Sequence, residues 1–464
     1  MADAKLWAPR AWIAGRWQDA VLLSVDGSGH WREITSGVDT LQPDTTVLPG
    51  PVLPGIVNAH SHAFQRAFAG LSERRDNDAD DFWSWRDRMY GVALRITPQQ
   101  LRAVAAQLYV ELLRGGYTQV CEFHYLQHAE DGRPYGDPAA LSWAMADAAA
   151  NAGIGLTVLP VLYERAGFTR PALRDDQRRF AGSVALVQKI VQAVGDARRP
   201  LVNAGVAIHS LRAASRASII ELMQCVGHDA VPVHIHIAEQ TGEVDDCVAA
   251  TGARPIEWLC RELRPDTRWQ LVHATHATQA EIDAVATSGA GIVICPSTEA
   301  NLGDGLTDVP RWLARGVPIA LGSDSQVSRC WPAELRLLEY GQRLVRRKRN
   351  VAAAPKQGQP ATAAHLFDTV LAGDGRTAGL TRWGLVPGAR ADALVLDLRA
   401  SGLLGVPPLH ALDALVFATD APAFREVYVG GRRVITEGRH MEEAAISERF
   451  SEVMVELWGG SNGV

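Results

Sequence analysis

Val52-Leu53-Pro54-Gly55-Ile56-Val57-Asn58-Ala59-His60-Ser61-His62 is the stretch on which the reading of this chain turns. Its front, Val52 to Asn58, is short, apolar and β-branched, without polar alternation, which is the pattern of a strand buried on both faces. Its back carries two histidines one residue apart. Side chains alternate along an extended segment, so His60 and His62 point the same way, and a buried strand ends in two imidazoles that can grip one ion.

Seven more runs of this kind follow, each succeeded by a helical stretch: Thr118 to Phe123, Gly155 to Leu162, Ala204 to His209, Val231 to Ile237, Trp269 to His273, Gly291 to Cys295 and Val317 to Gly322. Apolar strands alternating with helices make a parallel sheet, and eight of them suggest an α/β fold closed as a (β/α)8 TIM-like barrel. The helix ends are legible. Thr97, Pro98 and Gln100 form a capping-box start, Leu101, Ala105, Leu108 and Leu112 share one face, and Gly115-Gly116 stops the helix. Thr278 and Glu281 repeat the capping pattern. Ala352 to Pro360 reads as an irregular connection.

The two ends differ from the barrel in style. Residues 1–52 read as short strands with turn signals at Asp26-Gly27 and Ser28-Gly29. Residues 383–440 return to that style at Leu394-Val395-Leu396 and Val427-Tyr428-Val429, with a Gly430-Gly431 turn. One small β-sandwich domain built from both termini is therefore expected around a barrel spanning 53–382. Residues 441–464 contain an amphipathic helix from Glu442 to Trp458, with Ile446, Phe450, Met454 and Leu457 on one face.

Placing polar residues on the strands gathers them at one end. His60 and His62 follow the first strand, His236 and Glu239 the fifth, His273 the sixth and Asp324 the eighth, and the C-terminal rim of such a barrel is where active sites lie. His234 shares the spacing of His236 but lies deeper in its strand, so it is left as a core or supporting residue. His60, His62, His236 and Asp324 are the expected metal ligands. Three imidazoles, a carboxylate and a water suit zinc, one ion per subunit, with Fe2+ or Mn2+ as alternatives. A lone His-x-His is weak evidence, because paired histidines often fill hydrogen-bonding slots near a core; the match across four strands decides for the metal. The only lysines are Lys5, Lys189, Lys348 and Lys356, none on a candidate strand. A two-metal site bridged by a modified lysine is thereby disfavoured.

Zinc lowers the pKa of a water it holds from about 15.7 to about 7, roughly 12 kcal/mol in the cost of hydroxide at neutral pH. Asp324 can then take the proton, Glu239 can carry one to a leaving nitrogen, and His273 can orient the nucleophile or stabilise charge. These three are the expected catalytic residues.

The bulk numbers exclude other classes. With 47% hydrophobic and 21% charged residues, 464 residues bury a large core, and a formal charge of -6 with pI near 6.2 leaves no footprint for nucleic acid or an anionic membrane. The basic run Arg343, Arg346, Arg347, Lys348, Arg349 reads as a solvated helix end. Met1 to Trp17 has no continuous apolar stretch, hence neither signal peptide nor span, and a cytoplasmic location is expected. Six cysteines without a Cys-x-x-Cys pair read as reduced thiols.

His60 to His62 in its Pro54-to-His62 setting, His236-Ile237-Ala238-Glu239, His273, Ser323-Asp324 and the return segment Gly384 to Asp392 together resemble the amidohydrolase superfamily in its aminohydrolase branch. Within that branch the chain is similar to the deiminases that act on N-formimino-L-glutamate, over nearly its whole length. The distinctive segments are His62-Ala63-Phe64-Gln65-Arg66-Ala67, Phe82-Trp83-Ser84-Trp85-Arg86, Cys121-Glu122-Phe123-His124-Tyr125, His209-Ser210-Leu211-Arg212 and Thr298 to Gly305.

This resemblance implies hydrolysis of N-formimino-L-glutamate to N-formyl-L-glutamate and ammonia, as in histidine degradation, by a homodimer. A substrate with two carboxylates matches Arg86 and Arg212, whose planar forks suit them. Tyr125 and His209 would add hydrogen bonds, and Gln65 would sit near the formimino group. Arg66 and Arg88 compete for the role of Arg86. His124 and His128 read as structural, and His276 as either. The polar Gly70 to Asp81 stretch is a candidate for mobility. Phe64, Trp83 and Trp85 keep open an aminohydrolase acting on a purine, pyrimidine or triazine ring. An inactive barrel serving as a binding subunit has no need of a Glu239 proton shuttle.

Overall fold

The computed structural model describes residues 4–73, 82–227 and 231–459. Its centre is a ring of eight parallel staves: Ile56–Ser61, Tyr117–His124, Gly155–Leu162, a broken fourth stave of Val202–Ala204 and Val206–Ile208, then Val233–Ile237, Trp269–His273, Gly291–Ile294 and Ile319–Leu321. The ring closes where Leu321 pairs with Asn58. Apart from the half-buried Val202–Ala204, the staves are buried throughout, which is why they lack polar alternation. The fold is the expected (β/α)8 TIM-like barrel.

Two apolar runs turn out to be divided. Val52–Pro54 leaves the barrel and pairs with Ala11 and with Ala393–Leu396 in the terminal sheet, while Ile56–Ser61 forms the first stave. The switch falls at Gly55, where a Cβ would sit 2.2 Å from Thr118 Oγ1, so only glycine lets the chain pass between the two sheets. The fourth stave breaks at Gly205, where a Cβ would come within 2.6 Å of Leu159 and 2.7 Å of Pro232.

The helices begin as their caps predict. Thr97 Oγ1 accepts the Gln100 N–H at 3.3 Å and Gln100 Oε1 accepts the Thr97 N–H at 3.0 Å, starting the helix Pro98–Arg114. Thr278 and Glu281 do the same for Gln279–Ser288. Helix Thr362–Thr377 underpins the ring, with Asp374 Oδ2 accepting the Val57 N–H at 2.9 Å.

The termini meet in one continuous nine-stranded, largely antiparallel sheet running from Ala4–Ile13 and Arg16–Val25 through Val52–Pro54 to Phe424–Val429 and Arg432–Thr436. Leu6, Leu23, Trp31, Val52, Val395 and Tyr428 give it a core of its own. The C-terminal helix Glu443–Trp458 buries Ile446, Val453 and Leu457, and is tied to Pro98–Arg114 by Arg114–Glu443 at 2.7 Å and Gln100–Glu456 at 2.9 Å. Its apolar face is therefore used within the chain. The basic run lies at the end of helix Trp331–Arg346, where Arg343 pairs with Glu339 and Arg346 with Asp308. Among the described residues no helix is long and apolar enough to cross a membrane.

Candidate metal centre and active site

At the C-terminal rim the strand ends turn sharply. Ala238, His273, Ala274, Asp324 and Gln326 all have positive φ, from 47° to 71°, although none is glycine. Such conformations cost roughly 1–3 kcal/mol each and persist only where the surroundings enforce them, which marks this rim as a place where side chains are held against local preference. Asp324 is locked by backbone bonds in both directions, its N–H to the His60 carbonyl at 3.0 Å and its own carbonyl taking the His62 N–H at 3.2 Å.

The side chains so held converge. His60 Nε2 lies 3.0 Å from His236 Nε2 and 3.5 Å from Asp324 Oδ1, and His62 Nε2 lies 3.3 Å from the same oxygen. All four residues are buried. His62 Nδ1 must carry a hydrogen, because it is 2.9 Å from the Phe123 carbonyl, which can only accept; the Nε2 lone pair is thus turned to the centre. Burial pushes the His60 imidazole down to about 3 and that of His236 well below its usual range, so both are neutral. Burial acts to raise the Asp324 carboxyl, but the imidazoles of His60, His62 and His273 outweigh it and keep the group ionised.

Neutral imidazole nitrogens face each other and an ionised carboxylate in a buried space. That donor set, borderline nitrogen ligands with one hard oxygen, fits a divalent ion such as zinc.

Beside this group stands a histidine among carboxylates. His273 Nε2 is 3.7 Å from Glu239 Oε1 and 3.8 Å from Asp324 Oδ2. Its Nδ1 is 3.3 Å from Glu299 Oε1, which also accepts the Cys295 N–H at 2.8 Å. Burial works against charge on His273, yet the carboxylates of Glu239, Glu299 and Asp324 prevail and hold it up at about 10. Burial pushes Glu239 up to about 7. The pair thus has one group protonated at neutral pH and one poised to exchange a proton there.

A single cavity joins both sets to Gln65, Arg86, Tyr125, His209 and Arg212, so all five residues expected at the substrate line it. Gln65 Nε2 donates to the Tyr125 hydroxyl at 2.9 Å. The Arg212 loop is pinned by Arg165, whose guanidinium donates to the carbonyls of Leu211, Arg212 and Ala214 at 2.8 to 3.0 Å. Of the competing arginines, Arg66 makes a two-pronged pair with Glu111 at 2.8 and 2.9 Å, and Arg88 donates to the Ser72 carbonyl; neither lines the cavity. His124, His128 and His276 do not line it either. His234 bonds the Thr377 carbonyl at 2.8 Å and belongs to the core. Of the Gly70 to Asp81 stretch, residues 74–81 lie outside the described residues, as does the side chain of Trp83.

Several residues of the site are given no role in the sequence reading, although Glu122 and Glu299 lie in segments it singles out. Glu299 orients His273, and Glu122 accepts from Ser61 Oγ at 2.6 Å and the Ala63 N–H at 2.9 Å, fixing the His60–His62 segment. Tyr90, Tyr163 and Phe180 line the cavity. Tyr163, the first residue after the third stave, could have been found by the same rim rule that found His273.

The model of the Amidohydrolase family matches residues 52–434, which includes every stave and every ligand candidate. The chain belongs to the amidohydrolase family. Among amidohydrolase relatives, the formimidoylglutamate deiminase of Pseudomonas aeruginosa is 44% identical over 456 residues, covering 97% of this chain and 99% of that one. The 5-methylthioadenosine/S-adenosylhomocysteine deaminase of Natronomonas pharaonis is 27% identical over 418 residues, with 89% of this chain and 88% of that one covered. Among solved structures, an amidohydrolase from Brucella melitensis superposes with a TM-score of 0.92 at 39% identity, over 98% and 99% of the two chains. An adenosine deaminase from Xanthomonas campestris with bound zinc gives 0.81 at 22% identity over 98% of each, a likeness of fold.

Proposed function

We propose that this amidohydrolase hydrolyses N-formimino-L-glutamate to N-formyl-L-glutamate and ammonia, a step of histidine degradation, with one zinc ion held by His60, His62, His236 and Asp324. One observation carries the reading: a single cavity connects the His/Asp group and the Glu239–His273 pair to two arginines, Arg86 and Arg212. The 44% identity to a formimidoylglutamate deiminase supports it.

When bound, a divalent ion in this donor set supplies Lewis acidity and makes water a nucleophile near neutral pH. The chain's own residues then divide the work. Arg86 and Arg212 receive the two carboxylates, fixing which end of the substrate reaches the rim. Asp324, ionised and buried, takes a proton from the hydrolytic water through Oδ2, the oxygen turned toward His273. His273, protonated on both nitrogens, stabilises negative charge developing at the attacked carbon's substituents. Glu239 passes a proton to the departing nitrogen, a task suited to a carboxyl pushed up to about 7. A neutral purine or pyrimidine ring offers no carboxylate to either guanidinium of the cavity, which disfavours the ring aminohydrolases.

Ammonia release from N-formimino-L-glutamate, measured beside guanine, cytosine and adenosine on protein of known metal content, tests the reading. Turnover of the formimino substrate alone, abolished by chelation, is expected. Turnover of a ring substrate instead would transfer the same machinery to that class.

A further inference from the structure

The wall of the cavity beside the arginines contains a polar hub outside the rim machinery. Gln177, on the short turn Asp175–Phe180, is buried to 1% exposure. Its Oε1 accepts the Arg174 backbone N–H at 3.1 Å, which fixes the orientation of the amide. The amide nitrogen must then face the other way, and it donates to the Tyr163 hydroxyl at 2.9 Å and the Tyr90 hydroxyl at 3.4 Å. An amide NH2 has no lone pair to offer, so each phenol oxygen is an acceptor here and its own hydrogen is sent elsewhere.

For Tyr163, no carbonyl or carboxylate among the described residues takes that hydrogen within bonding distance. The ring is held edge-on against His209, with centroids 4.3 Å apart, and it lines the same cavity as Arg86 and Arg212. Burial raises the phenol's pKa, so the hydrogen stays on the oxygen, and Arg212, Arg86 and Arg174 are the nearby charges. Arg86 and Arg174 both lie over the neighbouring Tyr90 ring, at 5.7 and 5.5 Å. A buried phenol with a directed hydrogen beside cationic groups fits one kind of ligand group, an anion that accepts from several donors at once.

We propose that Tyr163, with its hydroxyl oriented by Gln177, is a specificity-determining residue that donates a hydrogen bond to a carboxylate of the substrate beside the arginines. This rests on the reading of the substrate as a dicarboxylate. Gln177 is the positioning residue: it does not touch substrate but sets the direction of the phenol hydrogen.

Tyr163→Phe keeps the ring against His209 and removes only the donor. Its KM for N-formimino-L-glutamate is expected to rise on the order of tenfold to a hundredfold, the usual worth of a hydrogen bond to a charged group, with kcat little changed. The rise should vanish on one of two monocarboxylate analogues, N-formimino-4-aminobutanoate or N-formimino-2-aminobutanoate, and so reveal which carboxylate is held. Gln177→Glu places an acceptor where a donor stood and turns the phenol hydrogen toward the new carboxylate. KM should then rise although the phenol is retained, and the double variant should be no worse than Tyr163→Phe alone. An unchanged KM in Tyr163→Phe, or an equal rise on all three substrates, overturns the proposal. Failure of the unaltered, metal-loaded protein to turn over the dicarboxylate would instead overturn the reading beneath it.

Discussion

His234 and His236 sit two residues apart on one barrel strand, point the same way and are both buried, yet they belong to different chemistry. At the floor, His234 is engaged by the Thr377 carbonyl, as Asn203 is by that of Ala378 at 2.7 Å and Gln119 by Thr157 Oγ1 at 2.8 Å. Each floor group is spent on a partner within the chain itself, Gln119 also accepting from the Arg390 guanidinium at 2.7 Å. At the rim, His236 faces another imidazole, and Glu239, Glu299 and Asp324 crowd one histidine on a backbone forced to positive φ. The contrast teaches that burial alone does not mark a functional histidine. What marks it is a partner that an added ion or substrate would serve better.

The largest expected effect separates the two levels. Glu239→Gln should lower turnover on the order of 10^2- to 10^4-fold while the metal stays bound, as loss of a general acid does. His234→Gln, by contrast, should cost about 1–3 kcal/mol of stability in denaturant titrations and leave turnover nearly intact. A His234→Gln protein as inactive as Glu239→Gln would erase the distinction.

Metal removal comes next. Chelation should abolish turnover and lower the melting temperature, since a ligand at 1,000 times its Kd stabilises by about 4 kcal/mol. Floor substitutions should leave that metal-linked shift unchanged. A smaller effect concerns the cavity wall: Arg212→Ala should raise KM about tenfold to a hundredfold for the dicarboxylate and far less for one monocarboxylate analogue. Equal changes would remove Arg212 from substrate recognition.

The smallest effect tests burial away from the chemistry. Glu334 accepts from the Ser297 N–H and hydroxyl at 2.9 and 2.6 Å, and burial pushes its carboxyl up to about 7. The folded state therefore binds its proton more tightly than the unfolded chain, and stability should fall as pH rises from about 4.5 to about 7. The loss, at most about 3 kcal/mol, is complete above that window. Glu334→Gln should flatten this part of the stability profile, as followed by thermal melts at several pH values. An unaltered profile would mean that Glu334 is ionised throughout.

Much of this was legible in the sequence because it is written locally. Eight apolar runs, the Thr97 and Thr278 caps, and polar residues at strand ends sufficed for the barrel and for the convergence of His60, His62, His236, Glu239, His273 and Asp324. The switch at Gly55 was hidden because Val52 to Asn58 is apolar on both sides of it, and a strand's sheet partner is set by distant residues such as Thr118. Glu299 acts on a histidine 26 residues away, and Gln177 on Tyr90 at a separation of 87. Neither leaves a periodic trace. Arg66 could be told from Arg86 only once Glu111 was seen to hold it.

The most direct test is to measure bound metal and formimino-substrate turnover side by side in the unaltered protein, in His234→Gln and in His236→Gln. One equivalent of zinc with turnover in the first two, and loss of both in His236→Gln, is the predicted result. Metal and turnover retained in His236→Gln, or turnover by metal-free protein, would contradict the assignment of the rim as the metal-dependent site.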